Sequence, residues 1–342
     1  IFFARLTGNV STKNNGGFIQ LRSRFSFANL EKDGKKLKGV RLNVRGNGET
    51  YYIFIRTNET QSYRDYYLVS FKAKSNWEMI DLPFNEFKHR LSNNTTLEDE
   101  INLLSTLPLL CQPSTEWVYS VAVDVLARII EVITKEKLQS VLEKRIFQPL
   151  EMIDTSFMLD PSKLDRLMTS YEFDPLHKKL NEPSSSTQKI GGYGYPTNSA
   201  TYARGGHGLF SSLEDYSKFA QMLLTGKTKT GEIIISQSML SLATTNHLSS
   251  SFFPLEIKNF DVDVLEDNDL EPYGWGLGFR VMMDVDKVNG MGSIGEFGWA
   301  GAAATYFLVD PKNDLTAVLM TQVLGAENIL KKDFVKTIYQ NL

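Results

Sequence analysis

The hydrophobic pattern of this 342-residue chain changes period once, near residue 90, and that change limits what the chain can fold into. Before it, apolar and polar residues alternate. Val40, Leu42 and Val44 alternate with Arg41, Asn43 and Arg45, the signature of a half-buried strand. Gly46-Asn47-Gly48 tolerates positive φ, and Tyr51, Ile53 and Ile55 resume the alternation, so the stretch reads as a β-hairpin. Asn14-Asn15-Gly16-Gly17 marks another tight turn before Phe18, Ile19 and Leu21. Nothing before residue 85 sustains a helical period, so an antiparallel sandwich is expected, with Trp77 and Phe84 in its core.

After the polar stretch Ser92-Asn93-Asn94-Thr95-Thr96, the spacing turns helical. Val118, Ala122, Val125, Leu126, Ile129, Ile130 and Ile133 form a wide apolar stripe, which predicts one broadly buried helix face. Ser211 and Glu214 spell a capping box for a second helix. That helix turns Tyr216, Phe219, Ala220, Leu223 and Leu224 inward and stops at Gly226. Leu277, Phe279, Val281 and Met283 alternate as a strand. Residues 304–309 and 315–323 flank a turn-forming loop and read as a hairpin, and a last helix aligns Leu330, Phe334 and Ile338.

Charge and cysteine usage narrow the function classes. A net charge of −3 and a pI near 5.9 argue against nucleic acid or an anionic membrane as an obligatory partner. One cysteine, Cys111, excludes an internal disulfide or a multi-thiolate metal site and fits a reducing compartment. No apolar run approaches the ~20 residues of a membrane span. The start at Ile1, in strand-like sequence, reads as a fragment, so a missing targeting signal leaves localisation open. His89, His177 and His247 lack ligand spacing, and His207 in its Gly-rich turn suits a structural hydrogen bond, so no metal or cofactor is expected. Asn9, Asn58, Asn93 and Asn94 match glycosylation acceptors, which require a secretory context.

Five short motifs then carry a resemblance. They are Gly8-Asn9-Val10-Ser11, Asn14-Asn15-Gly16-Gly17-Phe18, Lys38-Gly39-Val40, Val44-Arg45-Gly46-Asn47-Gly48, and Trp77 with Leu82-Pro83-Phe84-Asn85-Glu86-Phe87. In this order they resemble the complex I intermediate-associated family, which implies a galactose-binding-like jelly roll, here partial.

The rest of the chain resembles the class C β-lactamase-related family of serine esterases and penicillin-binding-like proteins. The matching stretches are Gln112-Pro113-Ser114-Thr115-Glu116-Trp117-Val118-Tyr119-Ser120 and Pro149-Leu150-Glu151-Met152-Ile153-Asp154-Thr155. They continue with Gly205-Gly206-His207-Gly208-Leu209, Tyr273-Gly274-Trp275-Gly276-Leu277-Gly278-Phe279 and Phe297-Gly298-Trp299-Ala300-Gly301. The fold class this implies is α+β. An N-terminal β-sandwich at residues 1–89 and a linker at 90–96 precede a β-lactamase/transpeptidase-like domain at 97–342 that lacks its N-terminal part.

The resemblance also implies chemistry. In that family a serine of a Ser-x-x-Lys box attacks a carbonyl, helped by a lysine and a tyrosine, because a serine hydroxyl alone is a weak nucleophile. Tyr119 matches the tyrosine and would serve as general base. Trp299, Ala300 and Gly301 match the box that lines the substrate, and the N–H of Ala302 would be one oxyanion donor. Val121 stands where an Asn is usual, and the third box lacks its Lys or His. Both departures point to a small ester- or peptide-like substrate rather than a β-lactam. The bland readings are a core tyrosine at 119 and a packing tryptophan at 299.

The nucleophile box is the large departure. One Ser-x-x-Lys occurs, Ser186-Thr187-Gln188-Lys189, after the tyrosine box in a Pro/Ser loop, whereas the motif needs a helix to put both side chains on one face. The expectation is a serine-hydrolase-family domain that is inactive in this chain, which leaves its standing as an enzyme open. The alternatives are a non-catalytic binding or assembly protein, reaching a protein or carbohydrate partner through the sandwich, and a composite product of two neighbouring genes.

Overall fold

The computed structural model describes residues 38–55, 66–89, 96–105, 109, 111–182, 202–255, 257 and 270–342. The turn at 14–17, the Ser186–Lys189 match and the acceptors at 9, 58, 93 and 94 lie outside the described residues. Two compact units emerge, Ile1–Glu116 and Trp117–Leu342.

In the first unit, β1 (Gly39–Val44), β2 (Thr50–Ile55), β3 (Tyr67–Lys72), β4 (Glu78–Pro83) and β5 (Lys88–His89) form two small antiparallel sheets. β1 pairs with β4, and β3 lies between β2 and β5. Val40 and Leu42 of one sheet pack with Ile53, Ile55 and Val69 of the other around Leu82 and Phe87. The expected β1–β2 hairpin is therefore wrong: alternation reports that a strand has a buried face, not which strand lies beside it. The Gly46 and Gly48 N–H groups donate to the carbonyls of Lys74 and Ala73, so the turn crosses between sheets along the β3–β4 connection. A Cβ on Gly46 would come within 2.7 Å of the Ala73 Cβ.

Trp77 and Phe84 are corrected too. Trp77 is 64% exposed, with the Arg45 guanidinium 5.4 Å from its ring. Its parity along β4 puts it with Met79 and Asp81 on the outer face, while Ile80 and Leu82 point inward. Phe84 is 37% exposed and packs edge-on against Phe87, which is the buried ring. Helix α1 (Leu97–Leu104) closes the unit with a reciprocal cap. Thr96 Oγ1 accepts from the Asp99 N–H, and Asp99 Oδ2 accepts from the Thr96 N–H.

The second unit runs through α2 (Ala122–Thr134), α3 (Leu138–Leu142), β6 (Tyr171–Asp174), β7 (Lys179–Asn181), α4 (Leu213–Thr225) and α5 (Gln237–Ala243). β8 (Tyr273–Trp275), β9 (Arg280–Met282), β10 (Phe297–Ala300), β11 (Tyr306–Asp310), β12 (Leu315–Leu319), β13 (Val323–Leu324) and α6 (Glu327–Tyr339) follow. β8 to β12 make an antiparallel sheet in the order β12-β11-β10-β9-β8, while β13, β6 and β7 form a smaller one. Helices cover both faces of the large sheet. Phe307 meets Tyr216 of α4, and its neighbour Tyr306 meets Phe334 of α6. β11 is accordingly buried at every position.

Two more expectations change here. Ser212, not Ser211, caps α4 by accepting from the Asp215 N–H; Ser211 Oγ bonds Thr155 Oγ1 instead. The strand expected over 277–283 shrinks to 280–282, with Arg280 and Met282 buried and Leu277 and Met283 about half exposed. The last helix and the β11–β12 hairpin fall where the pattern placed them.

The largest correction concerns α2. Leu126, Ile129 and Ile133 are 55%, 47% and 74% exposed, and Val125 and Val132 are exposed beside them. The buried side carries Asp124, Ala127 and Glu131. Those residues meet backbone donors: Asp124 Oδ1 accepts from the Gly206 N–H at 2.9 Å, and Glu131 Oε1 from the Leu138 N–H at 3.1 Å. Periodicity locates a stripe on a helix; it does not say which stripe the neighbours cover.

Candidate active site

Tyr119 lies outside any helix or strand, just before α2, and is 45% exposed. Trp299 stands in β10, held in register opposite Phe307 of β11. The Trp299 indole Nε1–H donates to Tyr119 Oη at 3.3 Å, and the ring centroids are 5.3 Å apart. Among the described residues this is the only hydrogen bond Tyr119 makes.

Two more rings complete the group. Trp275, at the end of edge strand β8, lies 4.7 Å from Trp299, 5.1 Å from Trp117 and 6.2 Å from Tyr119. Trp117 lies 6.4 Å from Tyr119. Several pairs are edge-to-face or tilted, the arrangement aromatic quadrupoles favour. Trp117 and Trp275 stood in the quoted motifs but were given no role there; their aromaticity beside Tyr119 and in the Tyr-Gly-Trp-Gly run was the only signal.

Ala300, Gly301 and Ala302 continue from Trp299 into a tight turn. The Gly301 N–H donates to the Thr305 carbonyl at 2.8 Å, and the Ala304 N–H returns to Gly301 at 3.0 Å. Ala304 takes a φ of 61° to close the turn. The Ala303 carbonyl accepts from Val323 N–H and Thr321 Oγ1, which ties the turn to β13. Ala302 is exposed at the tip, and its N–H has no partner among the described residues. No hydrogen bond joins Tyr119 to Ala300, Gly301 or Ala302 among the described residues.

The Gly205–Gly208 turn is a fitted joint. A Cβ on Gly205 would sit 2.0 Å from the Val123 carbonyl oxygen of α2. Next to it, buried Arg204 lies over the Tyr202 ring and donates to the Tyr202 hydroxyl and to His207 Nε2 at 3.1 Å. Since a guanidinium only donates, His207 Nε2 is the acceptor in this contact. His207 thus has a structural contact, and no group of three or more His, Cys, Asp or Glu among the described residues could hold a metal ion. The arrangement places a hydrogen-bonded phenol against a group of tilted indole rings; Ser186 and Lys189 lie outside the described residues.

Comparison with known proteins agrees with this architecture. A family model described as Beta-lactamase matches residues 78–338, and one described as Complex I intermediate-associated protein 30 matches residues 2–106. Protein Rv1367c of Mycobacterium tuberculosis (strain ATCC 25618 / H37Rv) is 30% identical over 222 residues, covering 64% of this chain and 52% of that protein. The chain therefore spans about half the length of this relative. Lovastatin esterase of Penicillium rubens is 24% identical over 283 residues, 80% of this chain and 68% of that one.

Among solved structures, "EstCE1, a hydrolase with promiscuous acyltransferase activity" superposes with a TM-score of 0.59 at 22% identity, covering 73% of this chain and 62% of that one. Simvastatin synthase (LovD) from Aspergillus terreus follows with a TM-score of 0.56 at 19% identity, covering 69% and 58%. At these identities the likeness is one of fold.

Proposed function

Because the chain belongs to the beta-lactamase family, and carries a complex I intermediate-associated match ahead of it, we propose that its second unit holds the tyrosine part of a serine-hydrolase site. The substrate class we assign is a small ester or peptide-like acyl compound, and we propose that this chain alone does not turn it over.

The Trp299–Tyr119 hydrogen bond carries the reading. The third box of the resemblance usually supplies a cationic or imidazole side chain beside the tyrosine. Here the neighbour is an indole N–H, a single neutral donor. It can orient the phenol but offers no charge-assisted bond to a substrate carboxylate. A neutral ester or amide fits that surrounding better than a carboxylate-bearing β-lactam. The names of an esterase and a hydrolase among the similar proteins support the same class.

The proposed lack of turnover rests on the position of the one Ser-x-x-Lys match, which follows the tyrosine box in a Pro/Ser loop. Covalent acyl transfer needs an activated serine within hydrogen-bond reach of its base, and Tyr119 bonds only Trp299 among the described residues. Without the nucleophile, binding and oxyanion stabilisation leave at most ~10³–10⁴-fold over water. Incubation with a fluorophosphonate probe and with short-chain p-nitrophenyl esters is the test. Neither stoichiometric labelling nor saturable hydrolysis is expected. One serine labelled to stoichiometry, with labelling abolished by Tyr119→Phe, would overturn the inactivity; if that serine were Ser186, the Pro/Ser loop would hold the nucleophile after all.

A further inference from the structure

We infer that Asn246 is a positioning residue for the Tyr119 site and acts through Trp275. The inference rests on the reading of Tyr119 as the site's tyrosine.

Trp275 touches Trp117, Tyr119 and Trp299, so its ring is the hub of the aromatic group. It also sits on the edge strand of the large sheet, where one side of the backbone has no neighbouring strand among the described residues. An unpaired edge leaves a strand's placement loose. The segment after α5 closes that edge. Asn246 Oδ1 accepts from the Trp275 N–H at 3.0 Å, and the His247 N–H donates to the Trp275 carbonyl at 2.9 Å. The Asn246 carboxamide thus supplies the acceptor, and His247 the donor, that a neighbouring strand would have provided.

The carboxamide is itself fixed. Its Oδ1 also accepts from the Leu248 N–H at 3.1 Å, and its Nδ2 donates to the Leu248 carbonyl at 2.9 Å. Glycines make the approach feasible. A Cβ on Gly274 would lie 2.6 Å from Asn246 Cγ, and one on Gly276 would lie 2.2 Å from the Ala243 carbonyl oxygen. One further bond, Leu277 N–H to Ala243 carbonyl at 2.8 Å, extends the clamp.

Binding and catalytic groups must be held to within about 0.5 Å to act, which asks for locked neighbours rather than touching ones. The chain of support runs from Asn246 to the Trp275 backbone, from the Trp275 ring to Trp299, and from the Trp299 indole to Tyr119. Removing the Asn246 amide frees one edge N–H and lets the hub ring turn, while β8 keeps its pairing to β9.

The test uses the whole chain and needs no turnover, so it stands whether or not the protein proves inactive. Two spectroscopic signals report the site: the exciton couplet of the coupled Trp117, Trp275 and Trp299 indoles in far-ultraviolet circular dichroism, and the Trp299 indole N–H resonance. Trp275→Phe identifies the couplet, and Tyr119→Phe identifies the resonance. Asn246→Ala is expected to weaken the couplet and to shift the Trp299 resonance. Asn246→Asp keeps an oxygen acceptor for both N–H groups but turns a second acceptor toward the Leu248 carbonyl, so its couplet is expected to fall between those of the wild type and Asn246→Ala. If Asn246→Ala fails to fold, Gly274→Ala displaces the carboxamide by its added methyl and should weaken the couplet likewise. A folded Asn246→Ala or Gly274→Ala protein with both signals at wild-type values overturns the inference, leaving Asn246 as a loop staple only.

Discussion

The indole N–H of Trp299 donates to the phenol oxygen of Tyr119 at 3.3 Å, although the two residues are 180 positions apart in the chain. The chain has four tryptophans, so their indole N–H resonances are separable. Tyr119→Phe should shift the Trp299 resonance most and leave the melting temperature within a few degrees. A spectrum in which no indole signal moves would show that the bond is not formed in solution.

The outward face of α2 yields the second prediction. Leu126→Lys and Ile133→Lys should each change stability by no more than about 0.5 kcal/mol, because both side chains are already in water. A buried stripe would instead lose about 2–5 kcal/mol on truncation of such a residue. Urea denaturation of the two variants decides between these values. The double variant should also bind less of a hydrophobic dye such as anilinonaphthalene sulfonate.

The joint between α2 and the Gly205–Gly208 turn should be sensitive. Gly205→Ala sets a methyl against the Val123 carbonyl oxygen and should cost about 1–3 kcal/mol. Asp124→Ala strands the Gly206 N–H and should cost about 1–3 kcal/mol, whereas Asp124→Asn keeps an oxygen acceptor and should cost less. Equal losses for Ala and Asn at 124 would mean that charge, not the acceptor, matters there.

A pH dependence should arise under α6. Tyr339 Oη lies 2.8 Å from Glu296 Oε2 and 2.8 Å from Asp310 Oδ2, and one hydroxyl proton cannot serve two carboxylates. Burial pushes Glu296 up, against the opposing pull of buried Arg280, whose guanidinium lies 3.5 Å from Oε1. Asp310 is held below its ordinary value despite its burial, by hydrogen bonds from Tyr339, Ser293 and Asn313. A carboxyl raised in the fold favours the native state fully below its unfolded value, about 4.3, and loses that contribution as pH rises through the folded value. Glu296→Gln fixes the neutral form and should flatten that decline. Thermal melts across pH 4 to pH 9 (about five units) should therefore converge at low pH and separate at high pH. Parallel curves would place the proton elsewhere.

Limited proteolysis addresses where one part ends and the next begins. The composition of residues 90–96 favours first cuts there, whereas the contact-based division falls between Glu116 and Trp117. Cuts confined to residues 109–117 would move the boundary to the latter, and early cuts inside α2 would refute both.

Much of the local structure was legible in the residues themselves. The α4 stop at Gly226, with a φ of 75°, and the β11–β12 hairpin follow from short-range chemistry that needs no partner. The capping of α4 was legible to within one residue, since Ser211 and Ser212 are chemically equivalent and only the position of Thr155 distinguishes them.

The chain's order of residues determined most of the element types and the change of pattern near residue 90. Tertiary structure alone decided which strand pairs with which, since β1 turned away from β2 to reach β4 once the Gly46 and Gly48 amides bonded the Ala73–Lys74 connection. It also decided which face of α2 is covered, because burial went to Asp124 and Glu131, where loop and helix N–H donors needed acceptors, and not to the most apolar stripe. The use of Asn246 as a substitute strand edge belongs to the same class, whereas the resemblance already implies one site for Tyr119 and Trp299, which do meet. Pairing, facing and long-range contact depend on groups far along the chain, and the pattern within any one segment carries no record of them.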